Sequence, residues 1–221
     1  MSSLEKSPAA IFRAAFLGDR SIFARGSAAR RAYHAGMDIG TGRVFVLGAG
    51  HLAAALRVEL RERKLSVGCH VPPAHILFVA CADFECAPSF ADANRRALAA
   101  RSPLLFACLA ERVVKIGPFV VPFETACFEC HPAQSWDLSP ADFEWRFMPA
   151  GRDTPVNADT HLSHLAQFGA ALIVSQLAAL RPGAPSARLG EAVAKFDPPS
   201  REPERRAWPR RATCRRCGGA G

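Results

Sequence analysis

The sequence predicts an α/β fold, a mostly parallel β-sheet with helices on both faces. Three observations carry that prediction. Short apolar runs that read as strands alternate with stretches of helical length. The clearest strand runs directly into the glycine turn Gly48-Ala49-Gly50 and then into a helix. The run His75–Ala80 is mostly apolar, the pattern of a strand buried on both faces of a parallel sheet. With 221 residues and a 49% hydrophobic composition, the chain can bury a real core.

The elements follow in order. Residues 1–42 read as a short basic N-terminal segment, one or two short helices closed by Gly40-Thr41-Gly42. Residues 43–221 read as one domain. Its first strand is Arg43–Leu47, followed by a helix through about Lys64. A second strand spans Leu65–Val71 and is stopped by Pro72-Pro73. After the His75–Ala80 strand, residues 87–101 form a helix, and Leu104–Cys108 forms a fourth strand. Val113–Val121 and Gly190–Phe196 read as further strands. The polar stretch between Cys130 and His161 carries Pro132, Pro140, Pro149 and Pro155 and reads as a long loop or crossover. A mainly apolar helix covers 161–180, and a proline-rich run leads to the last cysteines. No internal repeat is present.

The formal charge of +8 is concentrated at the ends. Residues 1–43 hold seven Lys or Arg against three acids, and residues 201–217 hold seven Arg against two Glu. Basic ends suit an acidic partner, a peptide or a nucleic acid; a solvated arginine-rich surface is the alternative. Only Trp208 interleaves the C-terminal arginines, which argues against a single-stranded nucleic acid. The longest apolar helix, 162–180, is interrupted by His164, Gln167, Ser175 and Gln176, so no membrane span is predicted. The Arg-, Ser- and Ala-rich beginning fits a transit peptide or a short basic helix; a cytoplasmic protein is the reading favoured here.

Two Cys-x-x-Cys pairs, Cys127/Cys130 and Cys214/Cys217, are the strongest chemical signal. Each can offer two thiolates from one tight turn, and two pairs complete a closed tetrahedral Zn²⁺ site. Such a site has no open position for water, so it holds structure. A redox dithiol would need only one pair, and disulfides do not suit a reducing compartment. Cys69, Cys81, Cys86 and Cys108 lack this spacing and read as small buried side chains.

A strand that enters Gly-x-Gly and a helix begins a nucleotide-binding, Rossmann-like turn, with Ala53 in the third glycine position. The acid that would bind ribose at the end of the second strand is missing; Glu59 and Glu62 belong to the preceding helix. The motif is half present.

The order of features resembles the ThiF/MoeB superfamily, relatives of the ubiquitin-activating enzymes. The matching parts are Gly48-Ala49-Gly50, Ala82-Asp83, Gly117-Pro118 through Pro122, Thr125-Ala126-Cys127-Phe128-Glu129-Cys130, and the terminal Cys214-x-x-Cys217. The resemblance covers residues 43–217 and is nearest to the cyclodehydratase scaffold subunits of thiazole/oxazole-modified peptide biosynthesis.

Active superfamily members adenylate a carboxyl terminus with ATP and Mg²⁺. By resemblance, Gly48, Gly50 and Asp83 would be the remains of that nucleotide site. Phe84 stands where an Asn usually follows the aspartate, and no cysteine lies between His131 and Cys214 to carry a thioester. Only 25 residues lead from Gly50 to His75, too few for the helical insert of active members. The resemblance therefore implies a non-catalytic subunit that uses no ATP, with Cys127, Cys130, Cys214 and Cys217 holding Zn²⁺. Its implied partners are a YcaO-type cyclodehydratase, a precursor peptide met through its leader, and, as for many ThiF-like proteins, a second copy. The branch usually binds leaders through a winged-helix domain ahead of the glycine turn. The stretch before Arg43 is too short for one, so leader capture is expected to involve another subunit or a docking role for the short segment. An ATP-dependent adenylating enzyme acting on a peptide or carrier-protein carboxylate is the alternative.

Overall fold

The computed structural model describes residues 43–67, 76–84, 87–110, 112–130, 160–179, 192–198 and 203–218. The N-terminal segment 1–42, residues 131–159 that the sequence marks as a loop or crossover, Cys69 and Cys86 lie outside the described residues.

A seven-stranded sheet runs in the order β2-β1-β3-β4-β5-β6-β7. Its strands are β1 Arg43–Leu47, β2 Ser66–Val67, β3 Ile76–Ala82, β4 Leu104–Ala110, β5 Val113–Val120, β6 Ala192–Phe196 and β7 Glu204–Ala207. The helices are α1 His51–Glu62, α2 Ala87–Ala99 and α3 Thr160–Ala179, with a single 3₁₀ turn at Phe128–Cys130.

β2, β1, β3 and β4 are parallel, whereas β5, β6 and β7 each run antiparallel to the preceding strand. The sheet is thus mixed, not mostly parallel. The reason is local: only residues 111 and 112 separate β4 from β5, and so short a connection can only turn the chain back on itself. The described part of the second strand is Ser66–Val67, within the predicted Leu65–Val71; residues 68–75 lie outside the described residues. β7 falls in the proline-rich run ahead of the last cysteines, where no strand was expected. It is a four-residue edge strand, exposed throughout, so burial left no alternating pattern in its sequence.

Strand alternation builds two cores. Leu77, Val79 and Cys81 face one side, with Leu52, Leu56 and Leu60 of α1 and Leu165, Ile173 and Leu177 of α3. Phe78 and Ala80 face the other, with Phe90, Ala97 and Leu98 of α2, Phe106, Trp208 and the four motif cysteines. α3 is buried on most of its circumference, which is why its sequence reads as apolar all round. No described helix is long and apolar enough to cross a membrane.

Candidate metal centre and glycine turn

The two cysteine pairs meet. Cys127 immediately precedes the 3₁₀ turn after β5 and Cys130 ends it, and Cys214 and Cys217 sit on a second turn after β7. The Cys130 N–H donates to the Cys127 carbonyl at 3.1 Å, and the Gly218 N–H donates to the Cys214 carbonyl at 2.8 Å. These bonds curl each turn so that both sulfurs of a pair face inward.

All four sulfurs lie within 4.8 Å of one another, and all four cysteines are buried. Cys127 Sγ is 3.7 Å from Cys214 Sγ, and Cys130 Sγ is 3.3 Å from Cys217 Sγ. Sulfurs bound tetrahedrally at about 2.3 Å lie about 3.8 Å apart, so this spacing fits a four-thiolate metal ion. The cysteines are free thiols, not disulfides. The four residues can therefore hold a metal and leave no position open for substrate.

The thiols differ in how readily they ionise. Burial drives Cys127 well above the ordinary thiol range, and the neighbouring thiols push the same way. Burial also raises Cys130, to about 11, although backbone N–H groups of Arg211 and Cys127 act against it. Cys214 is also opposed by burial, but the N–H groups of Cys217 and Arg216, with the Cys127 and Cys130 thiols, bring it down to about 7.

The surroundings lock the turns in place. Trp208 is 1% exposed and donates its indole N–H to the Cys127 carbonyl at 3.1 Å. Its ring stacks on Phe128 at 6.4 Å between centroids, and Phe128 also packs against Phe90 and Phe106. Asn94 of α2 accepts the Phe128 N–H at 3.2 Å, tying the first turn to the helix. Arg216 pairs with Glu129 at 3.0 Å across the two turns, and Arg210 donates to the Cys217 carbonyl. From the sequence, Trp208 stood out only as an aromatic among the C-terminal arginines, not as a support of the cysteines, and Asn94 was not singled out. A tryptophan six residues before a Cys-x-x-Cys was the available signal for one; nothing local marked the other.

The glycine turn lies elsewhere, at the carboxyl ends of β1 and β3. Helix α1 starts after Gly50 without a side-chain cap of its own. Asp83, the residue after β3, supplies one: Oδ2 accepts the His51 N–H at 2.6 Å, and Oδ1 accepts the Leu52 N–H at 2.8 Å. His51 Nδ1 lies 3.3 Å from the same Oδ2. A carboxylate thus sits on the positive end of the helix, where a bound phosphate would be favoured.

The two glycines are needed for this packing. Both have positive φ, 110° at Gly48 and 95° at Gly50. A Cβ on Gly48 would meet the Cys81 carbonyl oxygen at 2.0 Å, and one on Gly50 would meet Asp83 Oδ2 at 2.2 Å. Arg57 of α1 donates to the carbonyls of Val46 at 3.2 Å and Gly48 at 2.9 Å, closing the end of β1. Phe84 stands 40% exposed beside Asp83. The structure therefore brings Asp83 against Gly50 and the start of α1, while Gly48 packs against Cys81 and accepts from Arg57. Cys81 and Cys108 are buried strand residues; burial lifts the Cys81 thiol to about 12.

The architecture matches known structures. Escherichia coli MccB is 16% identical, with a TM-score of 0.59 over 82% of this chain and 66% of its own. The heterocyclase TruD is 23% identical, with a TM-score of 0.55 over 84% of this chain and 28% of its own. A heterocyclase solved with substrate and cofactor is 20% identical, with a TM-score of 0.58 over 84% of this chain and 26% of its own. MccB has also been solved with ATP and with MccA. No family model matches the sequence, and a search of curated proteins finds no match. At these identities the likeness establishes the fold alone, one shared with MccB and two heterocyclases, in line with the resemblance read from the sequence. The chain spans 26% and 28% of the length of the two heterocyclase chains.

Proposed function

We propose that this chain is a non-catalytic, zinc-stapled scaffold subunit of a peptide cyclodehydratase complex. In this reading it docks a YcaO-type enzyme that installs azoline heterocycles in a ribosomal precursor peptide. Cys127, Cys130, Cys214 and Cys217 bind the Zn²⁺, which supplies cross-linking and no chemistry at substrate. The fold shared with two heterocyclases supports the setting.

One observation carries the non-catalytic part. The Asp83 carboxylate accepts the first two N–H groups of α1, those of His51 and Leu52. A phosphate would have to displace it and face its charge. The side chain is stabilised by the helix end and serves as a cap, a role that needs no nucleotide.

The deciding experiment mixes the purified chain with a YcaO-type enzyme and a precursor peptide, and follows loss of water by mass spectrometry. Heterocycle formation should rise with added chain, while the chain alone turns over no ATP. Unchanged partner activity across the titration would remove this reading.

A second reading is favoured by the MccB structures solved with ATP and with AMPCPP and MccA. Here the chain adenylates a peptide or carrier-protein carboxylate, with Gly48, Gly50 and Asp83 at the nucleotide. Pyrophosphate exchange dependent on a carboxylate substrate, and lost in Asp83→Ala, would establish it.

A further inference from the structure

Five arginines of the C-terminal stretch lie on or near the turn that carries the second cysteine pair. Residues 203–218 contain six Arg, no Lys and one acid, Glu204. Arg206, Arg210, Arg211, Arg215 and Arg216 are all exposed. Arg206 pairs across the strands with Val193, whose side chain belongs to the α2-side core. Directly opposite residues of an antiparallel pair share a face, so Arg206 lies on the same side of the sheet as Trp208 and the cysteines. Arg211, Arg215 and Arg216 lie on the turns that carry Cys214 and Cys217, and Arg210 just before them donates to the Cys217 carbonyl.

That surface is rigid from beneath. The cysteines, Trp208 and Phe128 are anchored in the α2-side core, so the guanidinium groups project from a fixed turn and not from a flexible tail. The patch already accepts one carboxylate from its own chain, Glu129 on Arg216. Arginine presents a planar fork suited to carboxylates and phosphates. The aromatic platform that stacking on nucleic-acid bases requires is absent here among the described residues, since Trp208 is buried under the turn.

We propose that this arginine surface docks an acidic, extended segment of the precursor peptide. The inference deepens the scaffold reading and rests on it for the identity of the peptide. The surface lies on the α2 side of the sheet, away from α1.

The probe is a fluorescein-labelled oligoglutamate peptide, followed by anisotropy against the full, zinc-loaded chain. Two double variants carry equal changes of charge. Arg211→Glu/Arg215→Glu alters the patch, and Arg61→Glu/Lys64→Glu alters exposed positions on and just after α1. Binding should weaken about tenfold or more in the first and stay near wild type in the second. The milder Arg211→Gln/Arg215→Gln, checked for zinc content, replaces the first if it misfolds, and should weaken binding in the same direction. Equal loss in both double variants would mean diffuse attraction to a basic protein and would overturn the proposal. So would tighter binding of a single-stranded DNA of equal length, or no binding of oligoglutamate at low salt. The scaffold reading is judged separately, by activation of the YcaO-type enzyme on a substrate lacking its leader. Activation without peptide binding would sink the docking surface alone.

Discussion

The Asp83 carboxylate accepts the His51 N–H at 2.6 Å, so the end of β3 caps the start of α1 across the glycine turn. The bond links two elements 32 residues apart and satisfies a donor that α1 cannot satisfy itself.

Removing this cap should destabilise the fold modestly and leave the chain folded. We expect Asp83→Ala to cost about 1 kcal/mol and Asp83→Asn less, because an amide oxygen can still accept one of the two N–H groups. Urea midpoints measure both. An Asp83→Ala protein as stable as the parent would show that the cap contributes nothing.

The cysteine turns should depend on metal. Metal analysis should return one Zn²⁺ per chain, and a strong chelator should unfold the α2-side core. Cys214→Ser should lose the metal and aggregate, because binding energy and folding are one quantity when ligands join distant segments. A chelated protein that keeps its thermal transition would refute the staple.

Metal uptake should release protons. Thiolates bind the ion, and at pH 7 the raised Cys127 and Cys130 are protonated, while Cys214, near 7, is partly ionised. Both raised thiols must give up their protons on binding, and Cys214 adds a fraction that shrinks as pH rises. Affinity for zinc should therefore increase with pH. Calorimetry in buffers of different ionisation enthalpy counts the protons; an uptake of protons, or none, contradicts the arrangement.

Trp208 should matter more by volume than by its hydrogen bond. The Cys127 carbonyl also receives the Cys130 N–H, so Trp208→Phe leaves it satisfied. We expect about 1–2 kcal/mol for Trp208→Phe, and about 3–5 kcal/mol with weakened metal retention for Trp208→Ala. Denaturant unfolding of both variants, with zinc content measured alongside, separates packing from ligand geometry.

Much of the fold was legible in local pattern. β1, α1, α2, β4 and β5 fall within two residues of where periodicity and glycine placed them. These elements bury one or both faces, and burial writes itself into sequence. β7 was missed because all four of its residues are exposed, so selection for a core left no alternation there. The mixed character of the sheet was also missed. Strand direction depends on how each connection turns, and apolar runs read the same in either sense.

The sequence by itself determined the ligand types and the turn chemistry. Doubled Cys-x-x-Cys spacing announces a thiolate site because each pair is a local geometric unit, and Gly-x-Gly announces a turn only glycine can make. Tertiary structure alone decided what those units face. It brought Cys127 within 3.7 Å of Cys214, placed the Trp208 indole beneath them, and seated Asp83 on the helix end that a phosphate would otherwise seek. Those outcomes depend on contacts between segments far apart in the chain, and the spacing of residues along one segment carries no information about which distant side chain will arrive to fill it.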